Sequence, residues 1–259
     1  MSILDVKNVT HGFGVRAILQ NVSFRLLKGE HVALIGANGE GKSTFLNIIT
    51  GKLMPDEGTV EWSKRVSVGY LDQHSALKSG TTIRENLRLA FDDLFKMEQE
   101  MMKLYEDMSE AEEETVNRML EDAADIQTIL DSSGFYVIDS KIEEVANGLG
   151  LGDIGLDKFV DELSGGQRTK VLLTKLLLQN PAILLLDEPT NYLDEDHCRW
   201  LTVYLQNYEN AFILISHDIP FINDVSNIIY HVENCSLTRY VGNYEEFNRI
   251  YELNKQKEE

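Results

Sequence analysis

Two short stretches hold residues whose types and spacing can do chemistry. "GANGEGKST", Gly36 to Thr44, sets three glycines, a lysine and two hydroxyls within nine positions. "LDEPTNYLD", Leu186 to Asp194, sets Asp187 beside Glu188 at the end of the apolar run Ala182 to Leu186, with a third acid, Asp194, six positions beyond Glu188. In the first stretch Gly36, Gly39 and Gly41 let the backbone curl, so that successive N–H groups around Asn38 face inward and cradle oxyanions. The flanks agree with such a loop, because the strand-like "HVALI" precedes it and the helical "TFLNIIT" follows. Lys42 then supplies a point charge for β- and γ-phosphates, and Ser43, next to Thr44, supplies a hydroxyl for Mg²⁺. A nucleotide held this way needs its metal gripped from the side opposite Ser43 and a water aligned on its terminal phosphate. Asp187 at a strand tip suits the metal, and Glu188 suits polarising the water.

Elements must position these groups. "SILDVKNV", "VSFRLL", "HVALIG", "GTVEW" and "VSVGYL" read as strands separated by glycine-bearing turns. From Thr81 to about Gly150 the pattern turns helical. Leu94, Met97, Met101, Leu104 and Met108 form one stripe, and Val116, Met119, Ala123, Ile126 and Leu130 another, which predicts an antiparallel hairpin over about 91–130. "SEAE", Ser109 to Glu112, has capping-box form and is expected to start the second helix. After Gly165 the strands "AILLLD", "AFILIS" and "NIIYHV" alternate with helices. The expectation is one α/β domain over 1–259: a core with a β subdomain at 1–80 and 165–245, a helical insertion at 81–164, and a helix starting at 246–259 whose last residues, "ELNKQKEE", are solvated.

Lys and Arg number 24 against 43 Asp and Glu, a net charge of −19. That balance disfavours nonspecific attraction to nucleic acid or anionic membrane, and sequence-specific DNA binding is not expected. No window approaches the roughly 18–20 apolar residues of a membrane span, so direct membrane insertion is not expected. The N-terminus lacks a signal sequence and the two cysteines, Cys198 and Cys235, lie far apart, which points to a reducing, cytoplasmic location.

With those residues in view, the chain resembles the ATP-binding-cassette family over nearly its whole length. "GANGEGKST" resembles that family's Walker A segment, "ILLLDEP" its Walker B, and "LSGGQ", Leu163 to Gln167, its signature. Gln73 in "YLDQ" looks like the glutamine loop, His217 in "ISHD" like the switch histidine, and Phe13 in "GFG" like the aromatic that stacks on adenine. The resemblance implies a P-loop NTPase domain of the cassette type, with an antiparallel β subdomain and a helical subdomain, that binds ATP with Mg²⁺ and hydrolyses it. It implies that Gln73 reaches metal and lytic water, and that His217 holds Glu188 and water in register. Ser164, Gly165, Gly166 and Gln167 would form a second anion site serving a facing cassette, with Asp194 in the loop crossing that interface. The second cassette would be a continuation of this chain or another copy.

"DEPTNYLD" is similar to the "EPTNHLD" form of the translation-associated ABC-F branch more than to the "EPTSALD" of transporter ATPases, with Tyr192 a departure. The helical hairpin looks like that branch's arm, and "YVGNYEEFNRIYELNKQKEE" like a first cassette leading into an interdomain linker. The implied role is at the ribosome, in translation regulation or antibiotic protection; the alternative is the ATPase subunit of a membrane transporter. From Phe91 to Asp125 there are 13 acidic and 3 basic residues, a net of −10. Such a hairpin is expected to meet a basic protein surface and to be repelled by RNA phosphates.

Overall fold

The computed structural model describes residues 2–71 and 76–258. The chain divides into two compact units, 1–72 with 180–259, and 73–179.

The first unit holds two sheets. β1 (Ser2–Phe13), β2 (Arg16–Leu27) and β4 (Glu57–Trp62) form an antiparallel sheet in the order β2-β1-β4. The second sheet has the order β5-β6-β7-β3-β8-β9, from β5 (Val68–Tyr70), β6 (Ile183–Asp187), β7 (Ala211–Ile215), β3 (His31–Ile35), β8 (Ile228–Glu233) and β9 (Ser236–Val241). Its pairs are parallel except β8 with β9. β3 and β7 are buried at every position, and β6 at all but its last, which fits near-continuous apolar runs in parallel strands. α1 (Lys42–Ile49) buries Phe45, Leu46, Ile48 and Ile49 in one core with Leu4, Phe24 and Leu26 of the first sheet and Val32, Leu185 and Ile213 of the second. Phe45 meets Phe24 edge-on at 5.2 Å, and burial of such a ring contributes about 1.5–3 kcal/mol. α7 (Glu195–Gln206) and α8 (Ile219–Val225) join the strands and pack on each other.

This topology brings the chemistry together. The glycine loop leaves the carboxyl end of β3, Asp187 ends β6, and His217 lies two residues past β7, which is paired with both. Ligands of open parallel sheets gather in that crevice at the carboxyl ends of strands.

One feature of this unit, β9, differs from the sequence expectation. β9 had no strand signal, because its hairpin turns at Asn234-Cys235, both at positive φ, without the glycine that usually marks such turns. α9 (Tyr244–Glu258) is exposed over 252–257, as expected of "ELNKQKEE", while before it Phe247 is buried against His231 and Tyr240, and the Tyr251 hydroxyl donates to Glu233 Oε1 at 2.7 Å.

The second unit is helical. α2 (Ile83–Arg88) begins with a capping box, Thr82 accepting from Glu85 N while the Glu85 carboxylate accepts from Thr82 N. α2, α5 (Ile138–Gly148) and α6 (Gly165–Gln179) pack together through Ile83, Leu87, Ile142, Val145, Val171 and Leu177. Because α6 buries its apolar face here, this unit extends to residue 179. α3 (Asp92–Asp107) and α4 (Glu113–Ser132) form a hairpin whose seam buries Met101, Ala123 and Leu130. The expected capping box at Ser109 is absent. Ser109 donates to Glu106 O within a 3₁₀ turn, Ala111 becomes extended, and α4 starts at Glu113 after an uncapped Glu112.

Candidate functional site

The loop from Gly36 to Gly41 needs its glycines for steric reasons. At Gly36, φ is 152° and a Cβ would stand 2.4 Å from Val232 O; at Gly41, φ is 113° and a Cβ would stand 2.7 Å from Ile18 Cγ2. No side chain caps α1, whose N-cap is Gly41 itself. Lys42, 9% exposed, donates from Nζ to Gly36 O at 2.5 Å and to Ala37 O at 3.0 Å. Burial pulls its pKa down, and the carboxylates of Glu188, Asp187 and Glu40 work against that shift.

Glu188 is held from several sides. Its N–H donates to Ile215 O at 2.8 Å, and its φ of 50° is a left-handed conformation that non-glycine residues adopt at a cost. Oε2 accepts from the His217 backbone N–H at 3.2 Å. His217 Nε2 also stands 3.2 Å from Oε1, but out of hydrogen-bond alignment, so Oε1 is a buried acceptor with no hydrogen-bond donor among the described residues. Burial raises the pKa of Glu188, against the lowering effect of the His217 N–H; burial also raises that of Asp187, against the opposing charges of Lys42 and His217.

These groups line one cavity of about 320 Å³, with Asn38, Gly39, Gly41, Lys42, Ser43 and Thr44 facing Asp187, Glu188 and His217. A curled loop, an uncapped helix start and a lysine suit a polyphosphate. Among the described residues no three His, Cys, Asp or Glu side chains converge as a metal cage. The cavity therefore offers a hard cation the Ser43 hydroxyl and the Asp187 carboxylate, a sparse set that suits Mg²⁺ shared with phosphate oxygens and water.

Other residues singled out in the sequence lie elsewhere. Gly36 borders a second cavity beside the loop. Phe13 is at the β1–β2 turn, 57% exposed, edge-on to His11 at 5.0 Å, and does not line the 320 Å³ cavity. Asp194 caps α7, accepting from His197 N at 2.9 Å, and is also outside that lining. Ser164 and Gln167 cap α6 reciprocally, Gln167 Oε1 accepting from Ser164 N at 3.0 Å and Ser164 Oγ from Gln167 N at 3.3 Å, with Gly165 and Gly166 opening the helix. They belong to the helical unit. Gln73 lies outside the described residues. Sequence reasoning missed Ile18, which lines the cavity, and Arg16, whose Nη2 donates to Gly39 O at 3.3 Å. Both reach the loop from β2 by tertiary contact, and no local spacing marks them.

Comparison with known proteins agrees with this geometry. A family model described as ABC transporter matches residues 19–191. An uncharacterized ABC transporter ATP-binding protein of Bacillus subtilis (strain 168), YfmM, is 67% identical over 256 residues, covering 99% of this chain and 49% of that protein. The energy-dependent translational throttle protein EttA of Haemophilus influenzae is 31% identical over 229 residues, covering 88% of this chain and 41% of that protein. The chain thus spans about half the length, or less, of these curated relatives. Among solved structures, the ATP binding subunit of an ABC transporter superposes with a TM-score of 0.68 at 21% identity, over 97% of this chain and 94% of that one.

Proposed function

The chain belongs to the ABC transporter family as one of its ATPase cassettes, and on that premise we propose that it binds MgATP in the 320 Å³ cavity and hydrolyses it with Glu188 as general base. One observation carries the reading: Glu188 Oε1, buried and without a hydrogen-bond donor among the described residues, lies beside His217 in the same cavity as Lys42 and Ser43. The loop amides and Lys42 bind the phosphates. Ser43 and Asp187 would hold Mg²⁺, which supplies charge neutralisation on the phosphate oxygens. Glu188 accepts the proton of the attacking water as its oxygen bonds the γ-phosphorus and the bond to the ADP oxygen breaks. His217 fixes the carboxylate through its backbone N–H and stands ready at the terminal phosphate. The raised pKa of Glu188 makes it a stronger base than an ordinary carboxylate, provided the pH keeps it ionised. Gln73 is assigned to the metal and water, and Phe13 to the adenine, on the family resemblance.

The signature residues Ser164 to Gln167, with Asp194, are assigned to the nucleotide of a facing cassette, from a continuation of the chain or from a second copy. Hydrolysis by this chain alone should therefore rise faster than protein concentration, as half-sites meet; a specific activity independent of concentration contradicts the two-cassette reading.

Within the family, the ABC-F reading places the protein in the cytoplasm, acting on the ribosome. The "EPTNYLD" form and the α3–α4 hairpin support it, as does similarity to a protein named for translational throttling. Sedimentation with ribosomes in the presence of ATP tests it. Recovery with a membrane protein instead of ribosomes would favour the transporter-subunit reading.

A further inference from the structure

A second cavity, of about 270 Å³, lies in the same unit and borders the phosphate loop at Gly36 and Ala37. Lys42 and His217 line this space and the first cavity alike, so the two share a boundary of two side chains. α9 supplies much of the remaining lining, through Tyr244, Phe247, Asn248, Tyr251 and Glu252. We propose that the second cavity is the exit for inorganic phosphate: the cleaved oxyanion passes between Lys42 and His217, pauses behind the loop, and reaches solvent past α9. The inference rests on the hydrolytic reading above and adds where the product goes.

Four observations carry it. The boundary side chains are unequal: Lys42 is buried and tied to two loop carbonyls, whereas the His217 side chain is 64% exposed, so one fixes the route and the other is free to yield. Among the described residues Lys42 is the one lysine or arginine in the lining, so an anion is drawn through the boundary without a second fixed cation to trap it. The third titratable base there, His231, is packed edge-on against Phe247 and Tyr251, and burial lowers its pKa, which keeps it neutral near pH 7. Glu252 adds a carboxylate that repels a phosphate dianion and shortens its stay, and Asn248, exposed on α9, marks an edge open to solvent. A route of this kind matters because a facing cassette that covers the first cavity also closes the path by which ATP entered.

Two variants at α9 test the route without touching the loop or the acids. Asn248→Trp narrows the opening and Glu252→Lys reverses its charge. Rapid mixing with ATP, with acid quench for cleavage and a fluorescent phosphate sensor for release, separates the two events. Asn248→Trp is expected to cleave at the wild-type rate and release phosphate about fivefold more slowly, so a burst of cleaved, unreleased phosphate develops. Glu252→Lys is expected to show inhibition by added inorganic phosphate at about tenfold lower concentration. Release that keeps pace with cleavage in Asn248→Trp, together with unchanged inhibition in Glu252→Lys, overturns the exit. Absence of cleavage in the wild-type protein, even at concentrations where half-sites meet, would instead overturn the hydrolytic reading.

Discussion

The helices α1 and α6 both begin in glycine-rich turns, but one start is open and the other is closed on itself. α1 follows Gly41 at φ 113° and has no side-chain cap. α6 follows Ser164, which exchanges hydrogen bonds with Gln167 across the first turn. The open start faces a cavity whose lysine and acids are already in place. Under the proposed function it is ready to take phosphate oxygens with little rearrangement, because glycines adopt the loop's positive φ without strain. The signature start has spent side-chain hydrogen bonds on its own helix. Under the proposed function it gains from a facing cassette's nucleotide only what exceeds those bonds, so it would contribute when the cassettes close and little before. On that reading the difference separates a site that binds from a site that reports closure.

The largest predicted effect tests whether the open site also does chemistry. Glu188→Gln should retain ATP affinity and lose turnover by on the order of 10²–10⁴-fold in a steady-state phosphate assay. Equal turnover would leave α1 a binding site without a base. Next, the dependence of the open start on glycine should be visible in stability. Gly41→Ala forces a Cβ to 2.7 Å from Ile18 Cγ2 at φ 113°, and should lower unfolding free energy by about 1–3 kcal/mol in denaturant titration. At the closed start, Ser164→Ala removes a cap, and should cost about 1 kcal/mol while leaving ATP affinity of the isolated chain unchanged. A loss of affinity there would erase the distinction between the two ends.

The smallest effect concerns pH. Burial raises the pKa of Glu188 in the folded chain, so its contribution to stability is full below the ordinary carboxylate range and is lost as pH rises through the raised value. Glu188→Gln should therefore melt above the wild type at pH 7, with the gain shrinking toward pH 4. A gain constant across that range would point to packing instead.

The two starts also show what a sequence makes legible. The loop, Lys42, Ser43, Asp187 and Glu188 were readable because phosphate and metal chemistry constrain residue type at each position, and neighbouring strand ends bring them to one cavity. Ile18 and Arg16 were not readable, since they reach the loop only through the fold. Ser109 and Glu112 matched the capping spacing, yet the backbone at Ala111 turns extended, while Thr82 and Glu85 form the box. Spacing alone does not say which of two matches the chain will use. The hairpin stripes were legible as a seam through Met101, Ala123 and Leu130, but its outward acids carry no residue-specific chemistry that would name a partner.

Equilibrium titration of MgATP into this chain and into Lys42→Ala tests the central claim most directly. The proposed function predicts saturable binding of one nucleotide per chain, weakened by about a hundredfold in the variant as the buried point charge is removed. No saturable binding by the wild-type chain, or equal affinity in the variant, would contradict it.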